Sequence, residues 1–216
     1  MKIISTCTEG VPYCSSSRKG ASVRYIVLHY TGVAGAKGAD MAKRFARKTL
    51  PPLARKSSAH YVVDGDTVWQ AVPDRLAAWH VGNGQPDERY ACYGGYAEAQ
   101  VWHDGLYPDT FKGNRESIGI ELCCIHTDPT ERGSVTDRSW AFTEGTTTTA
   151  AELCIELCRK YGIPPEHVLR HYDATGKPCP RPFVSLPSDR NEDNDRAWGA
   201  FKDIIEKALR EDKSCD

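Results

Sequence analysis

The run Val23-Arg24-Tyr25-Ile26-Val27-Leu28-His29-Tyr30 decides how the chain is read. It is short, apolar and rich in β-branched residues, and Thr31-Gly32 closes it, which is the pattern of a buried strand. A histidine at the end of such a strand is conspicuous, because open α/β sheets place their sites beyond the ends of their strands. Downstream, Ser117-Ile118-Gly119-Ile120-Glu121-Leu122-Cys123-Cys124 repeats the same character. Between the two lies a hairpin signal. His60 to Val63 and Thr67 to Val72 flank Asp64-Gly65-Asp66, and Asp-Gly is a strong turn former.

Helical spacing fills the gaps. Ala39 to Thr49 carries Met41, Ala42, Phe45 and Ala46 on one face, with Pro51-Pro52 as a stop. Thr143 starts a long helix with Ala151, Cys154, Ile155, Cys158 and Tyr161 in helical register, and Gly162 ends it. A last helix is expected from Asp195 to Leu209. Residues 5–22 are rich in Ser, Gly, Cys and Pro and read as an arm or loop. Residues 82–115 hold Gly, Tyr, Pro and Asp without periodicity and read as a long loop region. Strands mixed with helices predict an α/β fold: one domain over residues 23–210, a mixed central sheet flanked by helices, an arm at 1–22 and a tail at 211–216.

The chain has 216 residues, 40% hydrophobic and 26% charged, the profile of a globular protein able to bury one core. No apolar run approaches the ~20 residues of a membrane span. The N-terminal Met1-Lys2-Ile3-Ile4-Ser5-Thr6 lacks the apolar region of a signal peptide. The net charge of −1 gives no global basic field of the kind that marks nucleic-acid binding. One local patch, Lys37 to Lys56, has seven Lys and Arg against the single acid Asp40. It reads as a solvated helix face, with contact to an anionic wall polymer as the sharper alternative. Nine cysteines is an odd number, so at least one is unpaired. Most read as small buried hydrophobes, and Cys7 and Cys14 are the best disulfide candidates.

The densest chemistry lies in His171-Tyr172-Asp173-Ala174-Thr175-Gly176-Lys177-Pro178-Cys179-Pro180. A histidine and a cysteine eight residues apart, in a loop stiffened by prolines, suit two ligands of a tetrahedral Zn²⁺. His29 is the candidate third. Two imidazoles and one thiolate leave a position free for water, as catalytic zinc requires. Each residue alone has a blander reading: a packed core histidine, an inert buried thiol. Glu121 is the second oddity, a carboxylate in a run that should be buried, where it is costly unless paired or working at a metal. Lys177 lies two residues before Cys179 and by itself reads as a solvated loop lysine.

Five segments, in order, give these residues a family context. Tyr25 to Gly32, Ser58 to Val63, Ala78 to Gly82, Ser117 to Glu121 and Arg170 to Pro180 resemble the zinc-dependent N-acetylmuramoyl-L-alanine amidases of the T7-lysozyme and peptidoglycan-recognition-protein superfamily. The likeness is strongest to phage-type amidases of Gram-positive hosts. It implies zinc at one edge of the sheet held by His29, His171 and Cys179, and Lys177 as a catalytic residue. It implies Glu121 as the proton-transferring acid, as in family branches with a Ser-Ile-Gly-Ile-Glu strand. The T7-lysozyme branch instead uses a tyrosine at the position of Ala59; Tyr61 lies two residues on and is not assigned that role. His80, in Ala78-Trp79-His80, resembles a residue lining the substrate cleft.

The implied partner is peptidoglycan, glycan and stem peptide together, met by a monomer with no organic cofactor. The implied act is cleavage of the lactyl–alanine amide, by an endolysin or autolysin that reaches the wall without a classical leader. Three alternatives stand beside this: a non-catalytic peptidoglycan-binding module, a cysteine hydrolase using Cys179 and His171, and a cytoplasmic amidase that recycles wall fragments.

Overall fold

A computed structural model describes residues 1–7, 12–49, 51–106, 111–128 and 133–213. Its centre is a mixed sheet in the order β1-β5-β4-β7-β3-β9. These strands are β1 (Lys2–Ser5), β3 (Tyr25–Ala34), β4 (Tyr61–Asp64), β5 (Thr67–Gln70), β7 (Ser117–His126) and β9 (Val168–Arg170). β3 runs parallel to both β7 and β9, whereas β4 and β5 form the antiparallel hairpin around Gly65. The short β8 (Trp140–Ala141) adds to β7, and β2 (Ser15–Ser17) pairs separately with β6 (Leu76–Ala78).

Alternation along the central strands divides the sheet into two faces. Ile26 and Leu28 of β3, Ile118, Ile120 and Leu122 of β7, and Tyr61 and Val63 of β4 face one way. They are covered by α3 (Glu144–Tyr161) and α5 (Asp193–Lys213), which bring Leu153, Leu157, Phe201 and Ile205 into the same cluster. On the opposite face, α1 (Gly38–Phe45) covers Val62 and Cys123. The rest of that face carries α2 (Gly95–Leu106), the short α4 (His171–Thr175) and the cleft described below. Leu28 is fully buried in the main cluster. Leu28→Ala is therefore expected to lower the unfolding free energy by about 2–5 kcal/mol in a urea titration. A loss below about 1 kcal/mol would mean that this face does not hold the fold together.

Four expectations need correction. The described residues of the segment 1–22 are woven into the fold: β1 lies along β5, and the buried Arg18 donates to the carbonyls of Asp74, Arg115 and Ser117. The helix expected to reach Thr49 stops at Phe45, with Ala46 as its C-cap, and beyond it the Arg47 carbonyl accepts the amide of Tyr13. The expected loop 82–115 contains α2. Its inward positions are Gly95, Ala99 and His103, small or polar residues at four-residue spacing that leave no apolar stripe to read. Finally, Cys7 and Cys14 are not bridged. Cys7 stays by Gln70 at the end of β5, whereas Cys14 is buried beside Ser58 and Trp79. Cys215 lies outside the described residues. Among those described, no helix is long and apolar enough to cross a membrane.

Candidate metal centre and cleft

The site forms midway along β3 and β7, beside the end of β9; β3 runs on through Thr31 and Gly32 to Ala34, past the point where the sequence pattern closes it. Parallel register sets Glu121 of β7 directly beside His29 of β3, on the face away from the main core. β9 pairs Arg170 with Leu28, so the next residue, His171, enters α4 beside His29. Arg170 anchors this junction: its guanidinium reaches Asp173 at 2.7 Å, Asp195 at 2.5 Å and the Phe183 carbonyl at 2.7 Å. The chain then turns at Gly176, whose φ of +81° is left-handed, and returns so that the Tyr172 amide donates to the Cys179 carbonyl at 2.9 Å. The turn needs glycine for a second reason. A Cβ on Gly176 would lie 2.5 Å from the backbone of Gly95, where α2 begins. The Cys179–Pro180 peptide is cis.

These turns bring three candidate ligand groups together. The Nδ1 atoms of His29 and His171 are 3.0 Å apart, and Cys179 Sγ is 3.8 Å from His29 Nδ1. One ligand atom from each of the three residues lies within 4.8 Å of the others, and all three residues are buried. Zinc bonds of about 2.0 Å to nitrogen and 2.3 Å to sulfur place tetrahedral ligands on the order of 3.3 and 3.6 Å apart. The observed spacings fit a divalent ion of that size. Burial first, then neighbouring imidazoles and Lys177, hold both histidines well below their usual titration range, so their lone pairs are available. Burial pushes the Cys179 thiol up to about 12. That is unlike a cysteine nucleophile, which needs a lowered pKa, and like a ligand that ionises when a cation arrives.

Glu121 has an unusual setting. Burial raises its carboxyl to about 7, against the opposing pull of Lys177. Its Oε2 is buried without a hydrogen-bond partner. A buried oxygen left this way is costly, and the residue lines the cleft. A carboxyl titrating near neutrality can both take and return a proton there. Tyr61 has no access to the site. It points into the opposite core, and its hydroxyl donates to Asp74 at 2.7 Å. Ala59 packs under α1 on the other side, so the alternation that linked the two positions does not extend back from β4.

His29, His80, Glu121, Lys177 and Cys179 line one cleft of about 610 Å³. His171 opens with His80 onto an adjoining hollow of about 250 Å³. The other four histidines do structural duty. His60 is buried beside Arg18 and accepts the Gly119 amide, and His103 meets the Ala174 carbonyl at 2.9 Å. His126 pairs with Asp137 at 2.6 Å, and His167 stacks on Tyr25. One wall of the cleft comes from the basic run between Lys37 and Lys56. Arg44, Arg55 and Lys56 belong to the basic run that reads as a solvated helix face. Arg44 comes from the last turn of α1, and Arg55 and Lys56 from the segment that precedes β4. The charge run itself is the signal that could have found them.

Comparison with known proteins gives the chain a family and a fold. A family model described as N-acetylmuramoyl-L-alanine amidase matches residues 19–182. The amidase CwlL of Bacillus licheniformis is 28% identical over 185 residues, 86% of this chain and 43% of that protein. The amidase BlyA of Bacillus subtilis (strain 168) is 31% identical over 175 residues, 80% of this chain and 40% of that one. The chain thus spans less than half the length of these curated relatives. Among solved structures, the catalytic domain of XlyA superposes with a TM-score of 0.57 at 23% identity, covering 95% of this chain and 99% of that one. PlyL does so with a TM-score of 0.59 at 21% identity, covering 95% and 98%. These likenesses extend over the whole sheet with its flanking helices, and the fold is theirs. With a family match that runs from the buried arm through all five sequence segments and past the paired His171 and Cys179, the chain belongs to the N-acetylmuramoyl-L-alanine amidase family (Amidase_2).

Proposed function

We propose that this chain is a zinc-dependent amidase that cuts the bond between N-acetylmuramic acid and L-alanine in peptidoglycan. The observation that carries the reading is the pairing of a His-His-Cys donor set with an unpartnered carboxylate one strand away, in register. His29, His171 and Cys179 hold the ion. Bound there, zinc supplies Lewis acidity and a water acidified to a pKa of about 7. Glu121 takes a proton from the attacking water and later returns it to the leaving amine of L-alanine. Lys177, from the cleft wall, places its ammonium near the charge that grows on the carbonyl oxygen. A sugar-cutting enzyme would normally need two carboxylates flanking the bond, and the described cleft wall brings one. The protein acts as a monomer on the wall.

The basic wall supports the choice of substrate. Arg44, Arg55 and Lys56 face a cleft that must seat a stem peptide carrying free carboxylates. Removing Arg44 and Arg55 together is expected to raise KM severalfold with little change in kcat, more so at low salt, because exposed charge pairs are screened. A wild-type KM that is the same at about 20 mM and about 500 mM salt would remove the electrostatic role.

Digestion of purified peptidoglycan tests the activity. New amino termini should be L-alanine, with no new reducing sugar ends, and a chelator should stop their release. Amino termini of other residues would make the protein a peptidase. Reducing ends would make it a glycosidase, and the reading would fall.

A further inference from the structure

We infer that His80 and Ser117 are positioning residues for the metal: a directed chain of hydrogen bonds through them holds His29 in the one tautomer that can ligate through Nδ1. The inference rests on the zinc reading above.

The direction of each bond follows from its ends. Ser117 Oγ lies 2.8 Å from the Gly113 carbonyl, which can only accept, so the hydroxyl proton is committed there. The same oxygen is 3.1 Å from His80 Nε2 and must therefore accept the ring N–H of His80. An imidazole carrying its single proton on Nε2 presents Nδ1 as an acceptor. His80 Nδ1 is 3.0 Å from His29 Nε2, so His29 donates from Nε2. The lone pair of His29 is then on Nδ1, the atom that faces His171 Nδ1 and Cys179 Sγ. With the opposite tautomer, His29 would aim an N–H at the ion. Partners of this kind behind a metal-bound histidine fix its tautomer and orientation, and their loss typically costs about 10–100-fold in metal affinity.

The surroundings fix His80 closely enough for this role. Its backbone amide and that of Val81 donate to Asn114 Oδ1 at 3.0 and 2.9 Å. Its ring lies on the backbone of β7 at Gly119, where an added Cβ would sit 2.5 Å from His80 Cγ. This explains the glycine in the middle of Ser117-Ile118-Gly119-Ile120-Glu121: any side chain there would lift His80 away from His29. The start of β7 is itself clamped. Arg18 donates to the Ser117 carbonyl, and the Gly119 amide donates to His60 Nδ1 at 2.9 Å.

The test uses the full chain and two readouts. In metal-free protein, nitrogen-15 NMR of the ring nitrogens should show His29 and His80 both protonated on Nε2. Zinc affinity, measured by competition with a chromogenic chelator, should fall about 10–100-fold in His80→Ala. His80→Asn places an amide oxygen where Nδ1 was and should recover most of that loss. If His80→Asn binds as weakly as His80→Ala, the ring acts by shape and the inference is overturned. It is also overturned if His80→Ala keeps wild-type zinc affinity and only raises KM, which would make His80 a substrate contact. A proton on Nδ1 of His29 in the metal-free wild type breaks the chain of bonds directly. Wild type that binds no zinc would remove the parent reading and with it the metal role, while the NMR result would still judge the hydrogen bonds.

Discussion

Glu121→Gln is expected to give a folded protein that keeps its zinc and loses about 10²–10⁴-fold in amide turnover. The substitution keeps the shape of the side chain and removes its ability to accept a proton. Folding should be spared, because the wild-type Oε2 has no hydrogen-bond partner to lose and the charged carboxylate is already disfavoured by burial. Zinc should be spared because the proposed ligand set, His29, His171 and Cys179, does not include Glu121. The loss should appear in kcat more than in KM, since proton transfer is made only in the transition state. Turnover on purified peptidoglycan, with metal content measured on the same sample, checks all of this. Near-normal turnover would strip Glu121 of its role, and it could not pass to Tyr61, whose hydroxyl is bound to Asp74 across the sheet.

Cys179→Ser is expected to lower zinc affinity by more than about 100-fold, beyond what loss of an outer partner costs, and to abolish activity at ordinary metal concentrations. Serine fits the space, but its hydroxyl stays neutral where the thiolate offsets one charge of the ion. Folding should survive, because Cys179 is held through its backbone: its carbonyl accepts from Tyr172, and its amide donates to the Lys177 carbonyl. Zinc analysis after dialysis, beside thermal unfolding, separates lost metal from lost fold. A Cys179→Ser protein with full zinc and full activity would remove Cys179 from the site.

The parts of the molecule legible in the sequence are those with strong local signals. Val23 to Tyr30 and Ser117 to Cys124 announce buried strands by composition alone, and Asp64-Gly65-Asp66 announces its hairpin. Thr143 and Gly162 mark both ends of α3, as N-cap and left-handed C-cap. What stays hidden depends on distant partners. α2 packs through Gly95 against Gly176, so close backbone approach replaces the apolar stripe that makes a helix readable. β1 is four residues long and takes its pairing from β5, more than sixty residues away. The site divides the same way. The spacing of His171 and Cys179, and His29 closing the apolar run Ile26 to Leu28, offer a metal as one reading of local pattern, although β3 itself continues to Ala34 and leaves His29 in mid-strand. That Glu121 stands beside His29 is a matter of parallel register, which no single segment reveals. The basic wall is visible as charge, but that Arg44 of α1 meets Arg55 and Lys56 at one cleft is a matter of the fold.

X-ray absorption at the zinc edge, on protein purified without added chelator, tests the central claim most directly. One zinc per chain should appear, with two imidazole nitrogens at about 2.0–2.1 Å, one sulfur at about 2.3 Å and one lighter oxygen ligand. The sulfur should vanish in Cys179→Ser, and the oxygen marks the open position that hydrolysis requires. A shell of four sulfurs or a fully protein-filled shell would mean a closed structural ion. No zinc in active protein would contradict the account outright.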